Sequence, residues 1–203
     1  MVMAFSIPQG HTEPQPAEIL AIYFTPPTGA ASGVIRQIDS SKKSVKVMAY
    51  GFTSLPIAEA LARAAGRGVR VELIEDQKSA NNNRQAISVL QQSGALVRSD
   101  GEHAIAHNKV ILIDEDIVIT GSYNFTNSAE KRNAENLLIL RSPYAMKRYL
   151  ENWQIHWGHG VSDEVEFLGH ATRRRYPCWG QGYKLLHNEY LCIGVLRDDH
   201  FLA

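Results

Sequence analysis

The chain has 203 residues, 21 basic side chains balanced by 21 acidic ones, and 44% hydrophobic residues, the make-up of one globular domain with a modest appendage. Charge balance excludes a global positive field, so any anion-binding surface has to be a local patch. No apolar run is long enough to cross a bilayer, the longest (Val110 to Ile113 and Leu137 to Leu140) being strand-sized, and no stable membrane insertion is expected.

Residues 1–17 read as a proline-containing leader without regular structure, 18–160 as the folded domain, and 161–203 as an extension of unknown structure. Met1 to Phe5 is short and lacks a positive start, so it is not a complete secretory signal, although Ala4 and Ser6 stand where a signal peptidase reads. Location therefore stays open between export through a longer leader and the cytoplasm. Ile19 to Phe24 predicts a first strand, Ser32 to Ser40 a helix, and Val45 to Tyr50 a strand. Pro56 to Ala65 predicts a helix with Pro in its first turn, closed by Gly66 and Gly68. Val69 to Ile74 reads as a strand, Ser79 to Gln92 as a helix ending at Gly94, and Ala95 to Arg98 as a strand. Such alternation predicts an α/β fold, a mixed central sheet flanked by helices.

After Asp100-Gly101 the order changes to strands in quick succession: Ala104 to Ile113, Ile117 to Thr120 and Asn136 to Leu140, with Asp114-Glu115-Asp116 as a hairpin turn. Pro143 to Trp157 predicts a last helix, on which Tyr149, Trp153 and Trp157 recur at fourfold spacing and are expected to dock on the core. The tail from His170 shows no period. Its two cysteines, Cys178 and Cys192, fit a disulfide, free thiols or no role.

The chemistry sits between His107 and Asn136. On a strand, His107 and Lys109 share a face with Ile111 and Ile113, whereas Asp114 falls on the other parity at the turn and reads as structural. Ser122 and Asn124 form a second alternate pair, and Glu135 opens the next strand, where its carboxylate can reach an imidazole on a neighbour. A phosphodiester resists attack because it is anionic and its leaving alkoxide is basic. Lys109, Ser122 and Asn124 suit the nonbridging oxygens; a neutral His107, held in one tautomer by Glu135, suits nucleophilic attack.

His107-x-Lys109-x-x-x-x-Asp114, followed by Gly121-Ser122-x-Asn124 and Glu135-Asn136, resembles the HKD signature of the phospholipase D superfamily. The wider run to Leu140, the Glu151-x-Trp153-x-x-x-Trp157 segment and Val47 to Thr53 are similar to its small single-copy bacterial endonuclease branch, over about Ala21 to Gly160. That resemblance implies the family's α/β sandwich and a two-step, metal-free and cofactor-free hydrolysis through a phosphohistidine. His107 would be the nucleophile, Lys109, Ser122 and Asn124 phosphate binders, Glu135 the partner of the histidine and Asp114 a structural member. It also implies a nucleic-acid substrate and, with one HKD copy and no internal repeat, a homodimer sharing one active site.

Rival readings are a phospholipid phosphodiesterase, which needs an apolar site mouth, and an inactive nucleic-acid-binding module, against which His107 and Lys109 argue. His103 is expected to be a core or simply exposed residue. A metal pair of His103 with His107 is rejected, since residues four apart on a strand lie roughly 13 Å from each other. Lys131 and Arg132 are candidates to track a phosphate backbone, ahead of Lys42, Lys43 and Arg173 to Arg175; Asn81 to Arg84 reads as a polar helix start.

Overall fold

A computed structural model describes residues 15–27 and 29–162; the cysteines, Arg173 to Arg175 and most of the predicted leader and tail lie outside them. The elements run β1 (Glu18–Thr25), α1 (Ala30–Ser40), β2 (Ser44–Ala49), α2 (Leu55–Gly66), β3 (Arg70–Asp76), a 3-10 turn (Gln77–Ser79), α3 (Ala80–Gln92), β4 (Leu96–Asp100), β5 (Lys109–Ile113), β6 (Ile117–Gly121), α4 (Asn127–Lys131), β7 (Glu135–Arg141), α5 (Pro143–His159) and β8 (Val161–Ser162).

All eight strands join one sheet in the order β1-β7-β6-β5-β2-β3-β4-β8. Strands β2, β3 and β4 are mutually parallel, while β5, β6, β7 and β1 are each antiparallel to their neighbours. This is the mixed sheet with flanking helices that the sequence predicts. Alternation along the strands fills two cores. Val45, Val47, Val71, Leu73, Ile111 and Ile113 face α1, α2 and α3, whereas Met48, Ile74, Val110 and Leu112 face α5. The aromatic stripe of α5 docks there as expected, with Trp153 buried and Tyr149 and Trp157 packed beside it.

The β5–β6 hairpin turns through Asp114, Glu115 and Asp116, the first two at positive φ (53° and 57°), and Asp116 N–H donates to the Ile113 carbonyl at 2.9 Å. Asp114 offsets this strain. Its carboxylate accepts the backbone N–H groups of Lys42, Lys43 and Ser44 at 2.7–2.9 Å, pinning the α1–β2 loop under the hairpin. Burial raises its pKa, but those N–H bonds and the Lys43 charge outweigh that, and the net shift is downward. Lys42 and Lys43 thus sit at the end of β5 opposite Lys109, about 14 Å away at strand rise, and cannot join it.

Antiparallel connections bring the C-terminal ends of β1, β2 and β6 and the N-terminal ends of β5 and β7 to one edge of the sheet, where Ala49 pairs with Lys109, Gly121 with Leu137 and Thr25 with Glu135. That edge carries the candidate site.

Candidate active site

Strand β5 begins at Lys109, not at Ala104 as predicted. Residues 101–108 form a loop because their polar groups are satisfied elsewhere: Ala106 N–H donates to Asp76 Oδ1 at 2.8 Å, and Lys78 Nζ donates to the Ala104 carbonyl at 2.6 Å. His107 is thus outside the strand, yet its ring and Lys109 Nζ both lie against Tyr50. His107 lies just before the strand, solvent-exposed, its ring tilted against Tyr50 with centroids 4.6 Å apart.

Lys109 is only 7% exposed and shares its strand row with Ile111 and Ile113. Its Nζ donates to the His107 carbonyl at 2.7 Å and stands 5.1 Å from the centre of the Tyr50 ring. Burial lowers its pKa to about 8, against a smaller opposing pull from Glu135. An ammonium so poorly solvated gains more from an anionic ligand than a surface lysine does.

Gly121 sets up the next part. A Cβ there would lie 2.2 Å from the Asn136 carbonyl oxygen, so only glycine lets β6 leave the sheet so close to β7. Ser122 follows, its hydroxyl donating to Glu135 Oε2 at 2.6 Å and accepting from Asn136 N–H at 3.1 Å. The other Glu135 oxygen accepts from Asn133 Nδ2 at 3.1 Å. Within one chain the Glu135 carboxylate engages Ser122 and Asn133, and among the described residues no hydrogen bond joins it to the His107 ring.

Asn124 Oδ1 is buried without a hydrogen-bond partner, next to Gly51. Its loop is fastened by main-chain bonds: Phe125 N–H donates to the Gly51 carbonyl at 3.0 Å, and the Phe125 carbonyl accepts from Thr53 and Ser54 N–H at 3.0 and 2.9 Å. Asn83, from the predicted polar helix start, is fully buried and accepts from Phe52 N–H at 2.8 Å while donating to the Tyr50 carbonyl and to Glu75. It positions the turn on which His107 leans. Helix α4 was not expected from the sequence; Thr126 caps it by accepting from Ala129 N–H, and it ends on exposed Lys131.

A second cluster was also not expected. Asp100, His103, His156 and His159 bring one possible ligand atom each to within 4.8 Å of one another. From the sequence His103 is expected to be core or exposed and is rejected as a metal partner of His107; the paired spacings Asp100-x-x-His103 and His156-x-x-His159 were the legible signal.

Residues 34–157 match the family described as cardiolipin synthase, PLD-like domain. The chain belongs to that phospholipase D-like family. It is 42% identical over 130 residues to a phospholipase D of Rickettsia conorii, covering 64% of this chain and 65% of that relative, so it spans just under two thirds of the relative's length. Over 155 residues it is 30% identical to the mitochondrial cardiolipin hydrolase of Canis lupus familiaris, covering 74% of this chain and 61% of the other. Its fold superposes on Nuc of Salmonella typhimurium, a phospholipase D family member, with a TM-score of 0.67 at 36% identity, covering 72% of this chain and 98% of that one.

Proposed function

We propose that this chain is a phosphodiesterase that cleaves nucleic acid through a phosphohistidine on His107, working as a homodimer. The observation that carries the reading is the convergence of a poorly solvated Lys109 with His107, Ser122, Asn124 and Glu135 at one sheet edge. An imidazole nitrogen of His107 attacks phosphorus, forming a P–N bond as the P–O bond breaks, while Lys109 and the Asn124 amide offset charge on the nonbridging oxygens. The leaving alkoxide needs a proton. Since each chain carries one HKD copy, the partner subunit's His107 supplies it and then takes a proton from the water that cleaves the P–N bond. In this reading Lys131 and Arg132, exposed beyond the Ser122 loop, follow the polyanionic backbone.

A lipid phosphodiester is the second reading. It is favoured by Phe24 and Ile105, 67% and 48% exposed and close in sequence to Thr25 and His107 at the site edge, and by the name of the canine relative. Incubating the purified protein with circular single-stranded DNA, duplex plasmid, RNA and phospholipid vesicles decides between them. Cleavage of a nucleic acid is the expected result; turnover of phospholipid alone overturns it.

A further inference from the structure

We propose that Asp100, His103, His156 and His159 hold one zinc-class divalent ion, which staples the loop ahead of His107 to the C-terminal end of α5. A tetrahedral ion with bonds of about 2.0–2.1 Å spaces its ligand atoms about 3.3 Å apart. Here His156 Nδ1 lies 2.6 Å and His103 Nδ1 3.7 Å from the same oxygen, Asp100 Oδ2, and no pair in the cluster exceeds 4.8 Å. Small rotations of side chains bring such a set to coordination distance.

The carboxylate is prepared for a ligand. Asp100 is 1% exposed; its Oδ1 accepts from Glu102 N–H at 3.0 Å, which fixes the group and leaves Oδ2 turned to the histidines. His156, 8% exposed, and His159 sit one turn apart on α5, so their rings share a face, with centroids 5.9 Å apart. The His103 ring lies 5.0 and 5.7 Å from those two. A plain ion pair of Asp100 with His156 accounts for one imidazole and leaves His103 and His159 gathered beside it without a hydrogen bond among the described residues. Three neutral imidazoles and a carboxylate are the donor set of zinc, and the partial negative charge at a helix C-terminus adds to the attraction.

The surroundings make this a seam. Arg98 of β4 donates to the Trp157 carbonyl at 2.6 Å and stacks 4.3 Å from the Trp157 ring centre, while Val161 and Ser162 return to pair with β4. An ion here ties together the end of β4, the loop that carries His107 and the last turn of α5. Its role is structural, since the reacting groups named above are not among its ligands.

The test uses the full chain without a polyhistidine tag. Elemental analysis after dialysis against zinc should give one zinc per chain, with a zinc-dependent rise in Tm. The double variant H103A/H159A changes two exposed side chains, and its fold is checked by circular dichroism. It should bind no zinc at this site and show no rise. Should that variant misfold, His103→Gln alone should weaken zinc binding by more than about 100-fold, beyond the 10–100-fold typical of losing a residue that only orients a ligand. Cobalt substitution should give tetrahedral d–d bands without thiolate charge transfer. Absence of zinc binding, full stoichiometry in the double variant, or thiolate bands pointing to Cys178 and Cys192 would each overturn the proposal.

Discussion

The hydroxyl of Tyr123 donates to Glu130 Oε2 at 2.8 Å, and the same carboxylate accepts N–H bonds from Gly29 and Ala31 at 2.8 and 3.0 Å. Glu130 therefore caps the N-terminus of α1 from across the fold while anchoring the residue between Ser122 and Asn124. Replacement Glu130→Gln keeps the volume but removes the charge that favours those donors. It should lower stability by about 1–3 kcal/mol, read as a lower denaturation midpoint with unchanged slope.

His107→Asn and Lys109→Ala should each abolish turnover while leaving native circular dichroism, because the imidazole is exposed and the ammonium is held in an unfavourably dry place. In His107→Asn, which binds without cleaving, oligonucleotide affinity should fall as pH rises through about 8, the pKa of Lys109, by up to tenfold per pH unit. Stability moves the other way. The folded pKa lies below the unfolded 10.5, so the unfolded chain holds more protons between about 8 and 10.5, and that group's contribution to stability rises with pH there.

Glu135→Gln should lower turnover substantially and shift the Lys109 titration below about 8, since Glu135 supplies the pull that raises it. A binding profile identical to that of the parent chain would detach Glu135 from Lys109.

Asp114→Ala should cost about 1–3 kcal/mol by freeing three N–H groups and an unsupported turn, yet leave the rate per folded molecule intact. The folded pKa of Asp114 lies below 3.8, so its contribution is present above 3.8 and lost as pH falls through the folded value. The gap in Tm between parent and variant should therefore close in acid.

Mixing parent chain with His107→Asn in equal amounts, with subunits free to exchange, should leave roughly a quarter of the activity of an all-parent sample at the same total chain concentration, since only parent homodimers are intact. Retention of half, with a monomeric mass by light scattering, would mean that each chain works alone.

Much of the sheet was legible because its strands are short and dominated by apolar or β-branched residues bounded by glycines and Asp-rich turns, as at Val69–Ile74 and Ile117–Thr120. The stretch from Ala104 to Asn108 was not. Its apolar run Ala104-Ile105-Ala106 leads straight into the strand, but the groups that hold it in a loop, Asp76 and Lys78, lie some thirty residues earlier, beyond any local pattern. The same holds for Glu135, whose engagement of Ser122 follows from the tight passage at Gly121 against Asn136, a tertiary fact. The four residues of the histidine cluster come from two distant segments, so only their paired spacings were visible in sequence.

Phe125 joins the two halves of the molecule, the parallel strands with their helices and the antiparallel hairpins, through bonds to Gly51, Thr53 and Ser54. The loop bearing Asn124 thus has no independent means of opening. To expose it, the chain has to break the only main-chain joint described between the loop after β2 and the loop after β6, and with it the shared core around Phe52 and Tyr123. The Asn124 side of the candidate site is consequently tied to the shared core, so any activity that needs this loop is expected to be lost with global unfolding instead of before it.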